Sequence, residues 1–507
     1  MTVLDPSIPM PPPTEAPLSA DARRGQSPLW RRLLLSAILL GLGLRFALAA
    51  ICWGTNDANT FGQFGFYITR DGLISTYLND VWLNHPPIPS YWSEAAWRLT
   101  APPEAGYDPG NAVNGDTRIL SQLTDTPGRY FSAVFKVPTL LAECATAWLL
   151  YRLWRDRAVR QAHDSAGKAR GLAVAAMYAW CLDAILVSGY HCNTDPIYAF
   201  FCLLCVYLLQ DKRSSFLAGL ALAAAINVKL TPVILVLPLL LWHRSWQSAW
   251  KFILGLAVGA LPFVPVLMFA GKSFYSNAIA YKSNPDNWGI TCLLMQADKE
   301  PGAWYEFVPK EHPLANLYFN YGRYVVLALA AAWALAARLR RRDDCERQPK
   351  GATRIDALDQ ITAGKLRTAA ADGSPTLSYW IGPRLKQPFY DAYTISAVTL
   401  ALFLFFTPGF GVQYTVMVLP LLFAVWPGMA NAYGFMAGLF LAIIYWAQWP
   451  GHHWPPNSQF TGMFPRPARV YGLVAWGLLG YFALRAVFTR RAQLGYISLA
   501  GDKLSGR

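Results

Sequence analysis

The sequence predicts an all-α, multi-pass membrane protein of about 12 transmembrane helices with large outer loops carrying interfacial helices. Three observations point there. Of 507 residues, 54% are hydrophobic and only 15% charged, whereas soluble domains carry about a quarter charged residues. The apolar residues come in blocks of roughly 20, long enough to cross the ~30 Å hydrocarbon layer. Basic residues crowd the short loops beside those blocks, the positive-inside pattern that orients membrane proteins. The net charge of +14 therefore reads as topology. No basic stripe with interleaved aromatics stands apart, so no nucleic-acid partner is expected.

Taken in order, residues 1–28 are rich in Pro, Ser and Ala without periodicity and read as a disordered cytoplasmic tail. The apolar run that follows starts too late and is too long for a signal peptide. Crossings are expected at 33–53, 131–153, 171–189, 196–210, 216–230, 232–243, 252–270, 320–338, 391–407, 414–427, 432–449 and 469–488, with both termini inside. The pair over 216–243 is short, and Pro232 at its turn suits a broken or re-entrant segment. The inner loop 152–170 holds Arg152, Arg155, Arg157, Arg160, Lys168 and Arg170, whereas the longer outer loop 54–130 is acidic on balance. A second inner segment runs over 338–390, and residues 491–507 form a cytoplasmic tail.

The outer loops 54–130, 271–319 and 450–468 are larger than a helical bundle needs and imply a binding surface on that side. The first carries two amphipathic candidates, about 58–76 and 87–99, with aromatics of the kind that lie in the interface plane. Tyr91, Trp92 and Trp97 fit such a belt. The cysteines give neither a disulfide framework nor a zinc spacing. Cys202 and Cys205 lie inside the apolar run FFCLLCVYLL and read as packing. A pairing among Cys52, Cys192 and Cys292 near the outer face has no support in the spacing.

Candidate chemistry begins with Asp57, a few residues beyond the first helix in TNDANTFGQFGFY. An acid at the headgroup boundary can take a proton from a sugar or lipid hydroxyl, while an acid before a helical run can equally be its N-cap. Asp80 is a second acid of the same kind. In NHPPIPSYW, His85 reads as a lipid-phosphate contact or as part of a turn stiffened by Pro86 and Pro87. The segment YHCNTDPIY places His191, Asn193 and Asp195 in one short outer turn. Ordinary hairpin chemistry would also use Asn, Asp and Pro.

Charges inside membrane segments cost a few kcal/mol each unless paired. Arg45, Lys136, Glu143 and Asp183 fall in the first three helices, and Lys229 near the outer end of its own. Two readings stand: structural pairs, such as Arg45 with Glu143 or Asp183, or a cationic pocket for a phosphate. Late outer elements are NPDNWGI, with Asp286 and Trp288, and PGFGVQY, with Gln413 and Tyr414 facing outward. Adjacent His452 and His453 lack a third ligand and read as an interfacial turn, so no metal or other cofactor is expected.

In this order the segments resemble the GT-C glycosyltransferases that use polyprenyl-phosphate sugars, over most of residues 31–490. The nearest look is to bacterial polyprenol-phosphate-mannose mannosyltransferases and dolichol-phosphate-glucose glucosyltransferases. The resemblance rests on Asp57 after helix one and on His85-Pro86-Pro87. It extends to Lys136, Pro138 and Glu143 in helix two, the His191–Asp195 turn, Lys229–Pro232, and Gln413, Tyr414 and Pro420. Departures are Asn193-Thr194 where many relatives carry a Gln before the acid, and Glu143 where an Asp is usual.

The resemblance implies a GT-C-like catalytic domain over 29–490 in a bacterial inner membrane, its active site facing the periplasm or exterior. A polyprenyl-phosphate hexose, mannose or glucose, would be the donor, and a glycan, lipid or protein the acceptor. Asp57 would be the base of an inverting transfer. Lys229, His191 and Arg45 would neutralise the departing phosphate. Asp80, His85, Lys136, Asn193, Asp195, Gln413 and Tyr414 would complete the substrate site. A lipid or solute transporter is the rival reading, but no repeat relates 31–243 to 252–490. A non-catalytic assembly partner of the same fold is a third, and the retained Asp57 argues against it.

Overall fold

The computed structural model describes residues 28–79, 83–100, 130–159, 164–281, 283, 288–296, 313–346, 391–448 and 466–504. Among them all regular structure is helical, with no strand. Asp80, Asp286, His452 and His453 lie outside the described residues, as do nearly all of the expected N-terminal tail and most of 338–390.

Helix α1 is Pro28–Ile51. The segment expected as the first outer loop then folds into α2 (Asn56–Asp71), α3 (Leu73–Leu78) and α4 (Pro87–Thr100). A short α5 (Phe131–Phe135) leads into α6 (Val137–Val159) and then α7 (Asp164–Ala179). Helix α8 (Leu182–Ile185) runs on as a π-helical turn to His191, and α9 spans Asp195–Gln210. Helices α10 (Ser215–Val228) and α11 (Val236–Trp242) flank the 3-10 turn Thr231–Leu235. Next come α12 (Trp246–Gly259), α13 (Phe263–Phe274), α14 (Gly289–Gln296) and α15 (Pro313–Glu346). The chain closes with α16 (Ala392–Phe406), a 3-10 turn Val412–Val418, α17 (Leu419–Val425), α18 (Pro427–Gln448) and α19 (Arg466–Leu504).

Five helices are long and apolar enough to cross a membrane, and seven spans result if each of two bent pairs counts as one. The expected count of about 12 therefore exceeds what length and composition alone support. At the remaining expected positions stand five shorter apolar helices of 10–17 residues, among them α9, α10 and α16. A 14-residue helix such as α10 reaches only about 21 Å, short of the ~30 Å layer. Two crossings expected as single helices are broken. Residues 171–189 bend by 56° between Ala179 and Leu182, and 252–270 by 69° between Gly259 and Phe263. The second break has Pro262 at its centre, where a missing N–H and a fixed φ interrupt the ladder. The expected break near Pro232 is present, and it begins at Lys229, whose backbone is extended.

Two apolar cores result. The larger gathers α6 to α10 with α16 to α19, and Cys202 and Cys205 sit in it fully buried and unpaired. Close approach of α10 and α12 depends on Gly219 and Gly255. A Cβ on either would fall 2.1 Å from a carbonyl of the facing helix, so small residues set this crossing. The smaller core lies under the first outer loop and holds Phe61, Phe64, Trp97, Phe131 and Phe135. Here the belt reading of the loop aromatics needs correcting for Trp97, which is buried. The aromatic face of α4 packs on protein, α2 and α5, and only Tyr91 keeps substantial exposure.

The intramembrane charges resolve into two kinds. Arg45 on α1 is fully buried and pairs with Glu143 of α6 at 3.0 Å. Three of its remaining N–H groups donate to the carbonyls of Gly41, Tyr178 and Ala179, and Tyr178 donates to the other Glu143 oxygen at 2.8 Å. Asp183 accepts from Thr415 at 2.6 Å. The Arg45–Glu143 pair thus joins the lipid-exposed first helix to the bundle.

Glu143→Leu alone should destabilise the protein by about 3–5 kcal/mol, because it leaves the Arg45 guanidinium buried without its counter-ion. Thermal unfolding in detergent checks this, and Arg45→Met combined with Glu143→Leu should recover most of the loss. Equal destabilisation in the single and double variants would contradict the pairing.

Candidate functional site

The site is built where the end of α1 crosses the turn after the π-helical segment. Gly54 has φ +116, and a Cβ there would fall 2.8 Å from the Tyr190 carbonyl oxygen and 2.9 Å from the Cys192 Cβ. Both the left-handed backbone and the close approach require glycine. Thr55 then clasps the turn. Its N–H and its hydroxyl both donate to the His191 carbonyl, at 3.3 and 3.1 Å. On the other side Cys192 adopts a left-handed conformation, φ 63°, which ends the π-helical turn and presents His191 and Asn193 to α2. Insertions of this π type concentrate at functional sites.

Lys136 and Thr139 of the α5–α6 region lock the same crossing from below. Lys136 donates to the Cys52 carbonyl at 2.7 Å and Thr139 to the Asn193 carbonyl at 2.8 Å. A cation at the carboxyl end of a helix is favourably placed against its dipole. Lys136, fully buried, therefore anchors α1 and does not enter the cluster above it.

Asp57 is not the N-cap of α2; Thr55 is, its hydroxyl accepting from the Asp57 N–H at 3.3 Å. That leaves the Asp57 carboxylate free to project into the crossing. Its Oδ2 accepts from His191 Nε2 at 3.2 Å and from the Asn193 amide. Asn193 Oδ1 accepts from the N–H groups of Thr194 and Asp195 at 2.6 and 3.0 Å, the start of α9. An oxygen so engaged fixes the amide with its NH2 toward Asp57. The turn chemistry and the functional contact are thus the same residue's two ends.

The Asp57 side chain is 33% exposed although it lies deep among protein atoms, so it faces an opening. Burial pushes its carboxyl up, but the hydrogen bonds it accepts from His191 and Asn193 outweigh this and hold it below the usual carboxylate range. The group is ionised at neutral pH. Its stabilising contribution is present above the unfolded-state value and is lost only as pH falls through the lower folded one.

A second polar centre lies near enough for Asp57 to act on its lysine. Lys229, released from α10 by its extended backbone, donates to Asp195 Oδ1 at 2.7 Å and sits 4.2 Å from the Tyr414 ring centroid. Asp195 is fully enclosed while the Lys229 side chain keeps 14% exposure. An ammonium has three donors, so Asp195 leaves Lys229 with donors for a further anion. His85 is close enough to feel both Lys229 and Asp57 and lies edge-on to Phe61 at 4.7 Å. Burial lowers its pKa to about 3, helped by Lys229 and opposed by Asp57. It is therefore neutral and can offer a phosphate a hydrogen bond but no charge.

Of the residues singled out from sequence, Asp57, His85, His191, Asn193, Asp195, Lys229 and Tyr414 come together. Gln413 folds over Gly411 beside them, within 2.8 Å of where a Cβ would sit. Arg45 stays within the Glu143 pair, and Trp288 is a core residue stacked on Phe410 at 4.5 Å. Among the described residues no three His, Cys, Asp or Glu side chains gather as a metal site. Sequence reasoning missed Gly54 and Thr55, whose turn-and-cap pattern before α2 was available, and Tyr445. The Tyr445 hydroxyl meets His191 Nδ1 at 2.5 Å, and no local signal in AIIYWAQWP distinguishes it from an interfacial tyrosine.

Residues 127–353 match the model of glycosyltransferase family 87. The matched stretch carries Lys136, His191, Asn193, Asp195 and Lys229, while Asp57, His85 and Tyr414 lie outside it. Over that stretch the chain is similar to a family of membrane glycosyltransferases, in keeping with the apolar helices. No curated protein matches the chain.

Asn193→Asp would set a second carboxylate against Asp57 and remove a donor from it, at a cost of about 1–3 kcal/mol. Because like charges repel only when both are ionised, the melting temperature should fall further at pH 7 than at pH 4. Equal falls at the two pH values would contradict the contact.

Proposed function

We propose that the chain transfers a hexose, mannose or glucose, from a polyprenyl-phosphate carrier to a glycan, lipid or protein acceptor on the outer face of a bacterial inner membrane. In this reading residues 29–490 form one GT-C-like catalytic domain with about 12 crossings, counting the five shorter apolar helices, and cytoplasmic termini. The observation that carries it is the Asp57 carboxylate, one-third exposed and held by His191 and Asn193, with Lys229 near enough to feel its charge.

Asp57 takes the proton of the acceptor hydroxyl as its oxygen forms a bond to the anomeric carbon. The bond from that carbon to the phosphate oxygen breaks on the opposite side, inverting the centre, and the electron pair leaves with the polyprenyl phosphate. Lys229 neutralises the charge on the departing phosphate, and neutral His85 contributes a hydrogen bond. Asp195 holds the Lys229 ammonium in place and Tyr414 gives it a π face. Arg45 and Lys136 act on the scaffold through Glu143 and the Cys52 carbonyl.

Transfer from labelled polyprenyl-phosphate mannose and glucose is the test, with native protein and Asp57→Asn in membranes at equal expression. Native transfer from one of the two donors, falling at least about 100-fold in the variant, is expected. Full activity in the variant would remove Asp57 from the base role. Absence of transfer from both donors would overturn the assigned donor class.

A further inference from the structure

We infer that Tyr445 is a positioning residue for Asp57: its hydroxyl donates to His191 Nδ1 and thereby fixes the tautomer that turns the Nε2–H toward the carboxylate. The inference rests on the reading of Asp57 as base.

An ionised carboxylate only accepts, so the His191 nitrogen 3.2 Å from Asp57 Oδ2 must carry a hydrogen. The other ring nitrogen faces the Tyr445 hydroxyl at 2.5 Å. In a neutral imidazole that nitrogen is an acceptor, and the hydroxyl supplies the donor it needs. Without the hydroxyl, Nδ1 loses its donor and Asp57 alone favours the Nε2–H form, so the tautomer with a lone pair toward Asp57 becomes less costly.

Both partners are held rigidly. His191 is 2% exposed and Tyr445 4%, and the Tyr445 ring stacks on Tyr190 at 4.9 Å with an interplanar angle of 22°. Tyr445 comes from α18, which packs on α8 and the π-helical turn. The carboxylate on α2 is thereby tied through one imidazole to the far side of the bundle. Other ionisable groups acting on the pair are His85 on Asp57, Lys229 on Asp195 and Asp57, Asp195 on His191, Tyr281 beside Asp57, and Asp183 beside Tyr445. None of these forms a hydrogen bond to either His191 ring nitrogen.

Tyr445→Phe keeps the ring and its stacking and removes only the hydroxyl. The pH dependence of kcat is measured for native protein, Tyr445→Phe and Asp57→Asn in parallel with the same polyprenyl-phosphate donor. In Tyr445→Phe the acid limb of the profile should move up by about 1 pH unit, because Asp57 loses a donor, while the donor KM stays within about twofold. In a His191→Gln background the amide donates to Asp57 without a tautomer to set, so adding Tyr445→Phe should change kcat by less than about twofold. An unmoved acid limb in Tyr445→Phe, with Asp57→Asn inactive, would overturn the inference and leave the base intact. A loss that is equal at every pH and persists in the His191→Gln background would assign Tyr445 a packing role only. Full activity in Asp57→Asn would remove the base reading and this inference with it.

Discussion

One end of the bundle depends on one backbone crossing, in which residues 52–55 pass against residues 190–193. Gly54 allows the approach, and the N–H and hydroxyl of Thr55 tie it to the His191 carbonyl. Lys136 and Thr139 pin each strand of the crossing from helix two. Moving either segment by one residue would turn Asp57 away from His191 and Asn193, since successive positions on a helix differ by about 100°. The position of Asp57 is therefore set by backbone hydrogen bonds, and the side-chain contacts follow from it.

Charge is handled in two ways within the same few helices. Arg45 and Glu143 are sealed, each with about 1% of the side chain exposed, and four guanidinium N–H groups donate to a carboxylate and backbone carbonyls. Such a pair offsets the few kcal/mol that an isolated membrane charge costs but is closed to a ligand by its burial. Lys229 and Asp57 are different. Each has a counter-group behind it, and each keeps an open side, 14% and 33% of the side chain respectively. That asymmetry separates the groups available for chemistry from those that hold the scaffold, although all four are charged residues near the membrane.

The membrane class, the helical segments and the seven residues that converge were legible because they rest on hydropathy, loop charge and local turn patterns. The His191–Asp195 turn is an example: its Asn serves the ordinary turn, and the same residue reaches Asp57. Sequence could not assign Arg45, because a buried arginine reads alike whether its partner is Glu143 or a phosphate. Nor could it show that Lys136 ends on a carbonyl of helix one, since that acceptor is backbone and leaves no residue signature. Tyr445 was invisible for a related reason, being 254 positions from His191 in the chain and set in an unremarkable apolar run. The breaks after Ala179 and Gly259 interrupt spans that hydropathy alone draws as continuous.

The central claim is that phosphate and sugar lie between Lys229 and Asp57. A structure of the protein in nanodiscs with a polyprenyl-phosphate bound tests it most directly. The account predicts a phosphate oxygen about 3 Å from Lys229 Nζ, with room for a sugar ring on the side of Asp57. A phosphate bound away from Lys229, or on the opposite face of the membrane, would contradict it.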